Sequence, residues 1–208
     1  MTARFDPLRL KRDKVLDPAV TAVLIVDMQK GELTEAHRTE KPAYFQAMKG
    51  SVVPAAKRLI DGARAAGCEI VYTVIESLTK DGRDRSLDHK LSAIHFARGS
   101  EEAKMIDEIA PGADDIVIPK TSSGVFNSTN LDYVLRNLGV ENVVVSGILT
   151  DQCVDMAVRD GADRGFYMVC VEDACTSYSD ERHRAALKAF GGYCRVQTVD
   201  EVLAGLGK

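Results

Sequence analysis

The chain has 208 residues, enough for one domain with a sizeable core, and its 45% hydrophobic and 28% charged residues are the proportions of an ordinary globular protein. A formal charge of −4 argues against a general nucleic-acid binder, which would carry a basic face, and no apolar run approaches the roughly 18 residues of a membrane span. The opening MTARFDPLRLKRDK is positively charged with no apolar run behind it, unlike a secretory signal.

Past an N-terminal arm (1–18), short apolar runs alternate with segments of helical period. TAVLIVDM (21–28) is the first predicted strand. Residues 28–51 are too long for a plain loop and predict local helices, a lid or a partner contact. Val53, Ala56, Ile60 and Ala63 then share a helical face up to an Ala66-Gly67 stop. EIVYTVI (69–75) is the second strand. A second long connection, 76–114, contains DGRDRSLDHK (81–90), either a solvated loop or one that meets substrate. DIVIP (115–119) is the third strand, and Leu131, Val134, Leu135 and Leu138 give a helix that stops at Gly139. NVVVSGI (142–148) is the fourth strand, followed by a helical stripe of Val154, Ala157, Val158 and Gly161. FYMVCVED (166–173) is the fifth, Ala186, Ala189 and Phe190 mark a helix before Gly191-Gly192, and a weaker YCRVQT (193–198) is the sixth. The runs are β-branched without strict alternation, as in strands buried on both faces. Together with the intervening helices they predict an α/β layered fold on a mostly parallel, six-stranded sheet.

Cofactor motifs are missing. The first strand ends in VDMQKGE, not in the glycine-rich turn that lets backbone approach a pyrophosphate. There is no phosphate loop, no GxSxG and no HExxH. The five cysteines (Cys68, Cys153, Cys170, Cys175, Cys194) are odd in number and scattered, with no CxxC pair, so neither a disulfide framework nor a zinc site is supported and a reducing cytoplasm fits best. His37, His89, His95 and His183 form no constellation and read as surface or loop residues.

The residues at the strand ends are more informative, because open α/β sheets bind ligands outside the carboxyl ends of their strands. The first strand ends in Asp27, the third in Lys120, and the fourth leads to Cys153. Each has a plain reading: a helix cap, a solvated lysine, a packed thiol. Together each supplies what another needs. A thiol is mostly protonated at pH 7, but a lysine and a helix N-terminus, here expected at Thr150-Asp151, would favour the thiolate. A carboxylate can accept the proton, and helix-start amides can hold an oxyanion. The expectation is an acyl-transfer site with its sulfur ionised near neutrality.

These residues carry a family resemblance. AVLIVDMQ (22–29), IPKTSSGVFNSTNLDYVLRNLGV (118–140), VVVSGILTDQCVDMAVRDGADRGF (143–166) and VEDACTSYS (171–179) resemble, in order, segments of the isochorismatase-like cysteine hydrolases, which include nicotinamidases and N-carbamoylsarcosine, ureidoacrylate and biuret amidohydrolases. The resemblance implies a three-layer Rossmann-like fold, a catalytic triad of Asp27, Lys120 and Cys153, and homodimers or homotetramers. It also implies a cis peptide between Ile148 and Leu149 that aims the Leu149 amide, beside that of Cys153, into an oxyanion hole.

Two departures bear on the substrate. The metal-binding Asp-x-His of nicotinamidases falls where this chain reads VIESLTKDGRDRS, without histidine. Isochorismatase proper, which cleaves a vinyl ether, lacks the cysteine that this chain has. Both point to a metal-independent, cofactor-free amidohydrolase of a small carboxamide or N-carbamoyl/ureido compound, working through a thioester. Phe126 in SSGVF (122–126) is expected to wall the substrate or to sit in the core; Glu76, Arg83 and Arg85 could reach the pocket or remain wet. The alternatives are a vinyl-ether hydrolase and a non-catalytic α/β binding domain. No nucleic acid or membrane partner is expected.

Overall fold

A computed structural model describes residues 11–206, so residues 1–10 of the expected arm lie outside the described residues. The strands are β1 (Thr21–Val26), β2 (Glu69–Ile75), β3 (Ile116–Lys120), β4 (Asn142–Ile148), β5 (Tyr167–Thr176) and β6 (Cys194–Gln197). The helices are α1 (Glu35–Glu40), α2 (Pro42–Ala47), α3 (Val53–Ala66), α4 (Leu87–Leu91), α5 (Val125–Ser128), α6 (Leu131–Asn137), α7 (Cys153–Asp163), α8 (Asp180–Ala189) and α9 (Val199–Leu206). The sheet order is β3-β2-β1-β4-β5-β6, and every pairing is parallel. No helix among the described residues is long and apolar enough to cross a membrane.

The uninterrupted apolar runs have a direct cause. All six residues of β1 are buried, but they serve two cores. Val23 and Ile25 pack with Ala56 and Leu59 of α3 and Val202 of α9, whereas Ala22, Leu24 and Val26 pack with Leu135 of α6 and Val154 and Ala157 of α7. Each such Val, Leu or Ile side chain contributes roughly 1.5–3 kcal/mol by leaving water, on whichever face it lies. The pattern that identifies a one-sided strand is therefore absent.

The chain runs outward from β1 through β2 to β3, then returns to lay β4 on the other side of β1. Strand order reverses between β1 and β4, and there the connections diverge and open a crevice at the carboxyl ends. Gly147 lets the two strand ends meet. Its φ is 127°, and a Cβ there would lie 2.2 Å from the Val26 carbonyl oxygen. Val26 is the residue before Asp27, so this contact sets where the carboxylate starts. Gly147→Ala is expected to cost about 2–5 kcal/mol from backbone strain and overpacking. Urea unfolding checks this, and an unchanged midpoint would contradict it.

Candidate active site

Asp27 follows β1 with φ 57°, a left-handed conformation that Asp enters more readily than most residues. Strand β2 holds it at two points. The Asp27 N–H donates to the Thr73 carbonyl at 3.1 Å, and Thr73 Oγ1 donates to Asp27 Oδ1 at 2.9 Å. Lys120 closes β3, and the Pro119 before it lies on an edge strand, where a missing N–H is tolerated. Lys120 Nζ sits 2.8 Å from Asp27 Oδ2 and donates to the Ser122 carbonyl at 2.9 Å and the Ser123 carbonyl at 3.3 Å. Its remaining contact is Cys153 Sγ at 3.5 Å. The structure thus gathers all three residues, at 2%, 1% and 7% exposure for Asp27, Lys120 and Cys153.

Their charges are coupled. Burial alone would lower the Lys120 pKa, but the Asp27 carboxylate and the sulfur outweigh it and the net direction is upward. The Cys153 thiol is pushed up to about 12, first by burial and then by the charge of Asp27, with Lys120 opposing both without prevailing. This corrects the expectation of an ionised sulfur: one ammonium cannot carry two buried anions. At rest the site holds a carboxylate, an ammonium and a protonated thiol. Among the described residues Asp27 Oδ2 accepts no hydrogen bond beyond its ion pair, so it is free to take the thiol proton.

The turn before α7 carries the other half of the chemistry. The Ile148–Leu149 peptide is cis. Helix α7 starts at Cys153, with Gln152 and no capping side chain before it. The helix thus starts two residues beyond the Thr150-Asp151 expected from the sequence, and Thr150 and Asp151 anchor the turn instead. Thr150 Oγ1 meets His183 Nδ1 at 2.8 Å, Ser177 Oγ donates to Asp151 Oδ1 at 2.6 Å, and Arg182 pairs with Asp151. Among the described residues the Leu149 and Cys153 backbone N–H groups donate to nothing, although Gln152 and Val154 both donate to the Leu149 carbonyl. Two unengaged amides beside a thiol can hold a developing oxyanion, helped by the positive end of the α7 dipole.

The other candidate residues lie elsewhere. Phe126 is in the core, its ring stacked on Phe166 at 5.9 Å and covered by Arg164, so the packing alternative holds for it. Glu76 accepts from the Gly99 N–H at 2.8 Å, Arg83 pairs with Asp81 on the surface, and Arg85 donates to the Gly82 and Ile94 carbonyls. These three stitch the 76–114 connection together. That connection still reaches the site, through a residue read as a surface histidine. His89 is fully buried, its Nε2 is 3.4 Å from Ser123 Oγ, and its pKa is lowered by burial and by Lys120.

A cleft of about 530 Å³ opens at this rim, lined by Lys41, Ser123, Gln152, Met156 and Tyr178 among others. Linked to Tyr178 through Tyr44 is Glu32, which sequence reasoning missed. Its side chain is 16% exposed, and its pKa is raised to about 7, chiefly by burial and then by the nearby Asp27 charge. Glu32 sits in KGELTEAHRTEK, a charged stretch with no apolar period to betray burial. Among the described residues no three His, Cys, Asp or Glu side chains gather as metal ligands would.

Comparison with known proteins fits this geometry. Residues 21–201 match the Isochorismatase domain. The chain is 32% identical over 191 residues to ureidoacrylate amidohydrolase RutB of Rhizobium rhizogenes, covering 84% of this chain and 75% of that protein. It is also 32% identical to the same enzyme of Agrobacterium fabrum, covering 84% and 81%. Among solved structures it is similar to a cysteine hydrolase from Pseudomonas syringae pv. phaseolicola, with a TM-score of 0.81 and 26% identity over 93% of this chain and 95% of that one. N-carbamoylsarcosine amidase from Thermoplasma acidophilum gives a TM-score of 0.72 and 28% identity over 86% and 96%.

Glu32 makes the stability of the protein depend on pH in a stated direction. Its acid form is favoured in the folded chain over the unfolded one, so the contribution is full below pH 4.5 and is lost as pH rises toward 7. The loss is up to about 3 kcal/mol. Glu32→Gln removes the dependence, so the variant should gain on the parent between pH 5 and pH 8. Urea unfolding at the two pH values measures it; an equal difference at both would contradict the assignment.

Proposed function

This chain belongs to the isochorismatase family of hydrolases, and from that premise we propose that it is a cysteine amidohydrolase of a small carboxamide or ureido compound. One observation carries the reading. Lys120 Nζ touches both Asp27 and Cys153 Sγ in a dry site at the sheet's switch point, beside two unengaged amides. The substrate class draws on the relatives, whose names specify ureidoacrylate and N-carbamoylsarcosine as their substrates.

The steps start from the resting protonation states. As the substrate carbonyl carbon meets Sγ, the thiol proton passes to Asp27 and the S–C bond forms. Negative charge moves to the carbonyl oxygen, where the Leu149 and Cys153 amides receive it. Asp27 returns the proton to the nitrogen, the C–N bond breaks, and ammonia or an amine leaves a thioester, or a thiocarbamate from a ureido carbonyl. Water then attacks while Asp27 takes its proton. Collapse of this second oxyanion breaks the C–S bond, and the proton on Asp27 restores the thiol.

Lys120 stays charged throughout. It pairs with the Asp27 side chain and steadies the sulfur as its negative charge grows. The buried thiol avoids idle reaction with other electrophiles, because sulfur becomes nucleophilic only when a substrate lies against Asp27 as well.

The test is ammonia release from a panel of small carboxamides and ureides, with mass spectrometry of the quenched enzyme. Turnover with a substoichiometric acyl adduct on Cys153 is expected, and Cys153→Ala should lose at least about a thousandfold in kcat. Undiminished turnover by Cys153→Ala would overturn the proposal.

A further inference from the structure

Glu32 is a buried carboxylate that the hydrolytic steps do not use. Its Oε2 accepts from Tyr44 Oη at 3.3 Å and lies 3.8 Å from His37 Nε2. Its Oε1 has no partner among the described residues and is not among the sealed, unsatisfied side-chain atoms. Among the described residues the only cation within ion-pair distance is His37, whose pKa burial lowers, so the carboxylate has no permanent counter-ion in contact. A side chain held this way is expensive unless something else completes it.

Glu32 belongs to a chain of aromatic contacts that leads to the cleft. Tyr44 meets the Tyr178 ring edge-on at 5.2 Å, and Tyr178 lines the cleft, close enough to feel the charges of both Glu32 and Cys153. Lys41 Nζ caps the outer face of Tyr178 at 3.4 Å from the ring centroid. Glu32 also feels the charges of Asp27, which raises its pKa, and of Lys120, which lowers it. The carboxylate is thus held by Tyr44, one aromatic contact from Tyr178 of the cleft and within the influence of the triad charges.

Resting on the amidohydrolase reading and deepening it, we propose that Glu32 is the specificity-determining residue of this site: its free Oε1 accepts a hydrogen bond from the second N–H of a ureido substrate, the nitrogen that does not leave. An amide has carbon at that position and leaves the acceptor unpaired. Selection then comes from the cost of an unmet buried acceptor, as in sites built to hydrogen-bond their substrate. Asp27 handles the departing nitrogen, Glu32 the retained one.

The test compares N-propylurea with pentanamide, its isostere with CH2 in place of NH, in binding titrations on Cys153→Ala, which cannot turn them over. At pH 8 the urea should bind about tenfold to a hundredfold more tightly. The preference should shrink at pH 6, where Glu32 is protonated; of the groups around it (Asp27, Lys120, His37, Lys41, Tyr44, Tyr178), Lys120, Tyr44 and Tyr178 are shifted upward and His37 downward, away from that interval. Adding Glu32→Gln should reduce the preference to within about threefold and abolish its pH dependence, with pentanamide binding at least as tightly as before because the unmet charged acceptor is gone. A merely structural Glu32 would weaken both ligands alike. Should that variant not fold, Tyr44→Phe, which frees Oε2, must diminish the same preference. Equal binding of the two ligands by the parent, or a preference that survives substitution, overturns the inference. Ammonia release is read separately on the unaltered chain. Glu32-dependent preference with no hydrolysis of any ureide or amide defeats the amidohydrolase reading alone, and hydrolysis without that preference defeats this inference alone.

Discussion

The contact between Lys120 and Asp27 is the constraint on which the site depends. Both side chains are almost wholly out of water, 2.8 Å apart, and neither charge would be tolerated there without the other. Pairing by itself does not make such an arrangement favourable, so each partner is held further. Thr73 donates to the carboxylate, and the Ser122 and Ser123 carbonyls accept from the ammonium. These partners belong to β2 and to the turn after β3. The sheet order thus does more than shelter the pair, because only the parallel ends of neighbouring strands place these groups within reach of one another.

The pair also decides the state of the sulfur. Lysine has three protons to give and faces four acceptors, so Cys153 shares what Asp27 and the two carbonyls leave. A second buried anion would sit beside Asp27 and near Glu32, with one ammonium to answer for all of them. The neutral thiol is the arrangement that keeps the site close to electrically balanced. Nucleophilicity is consequently conditional on proton transfer to Asp27, and protonation of Glu32 works in the same direction by sparing the site another negative charge.

Much of this is legible in the sequence, for identifiable reasons. The strands announce themselves because burial on both faces leaves uninterrupted β-branched runs. Asp27 and Lys120 stand out as charges at the ends of such runs, and Cys153 as a thiol just past one. Resemblance to a family supplies the cis Ile148–Leu149 bond, which nothing in the local composition signals. The ionisation of Cys153 is not readable, because it turns on whether the nearer charge dominates or burial does, and that requires distances. Glu32 and His89 escape for a different reason. Both lie in charged, aperiodic segments that read as wet, and only long-range folding brings them under cover. Phe126, in a segment that resembles a pocket lining, instead packs on Phe166 behind α7, which no spacing rule distinguishes.

The central claim is that buried Asp27 and Lys120 hold the Cys153 sulfur as a thiol until substrate arrives. Ultraviolet difference absorbance near the thiolate band, comparing the unaltered protein with Cys153→Ala across pH 5 to 9, measures it directly. The account predicts no thiolate step attributable to residue 153 anywhere in that range. A step with its midpoint near or below pH 7 would contradict it.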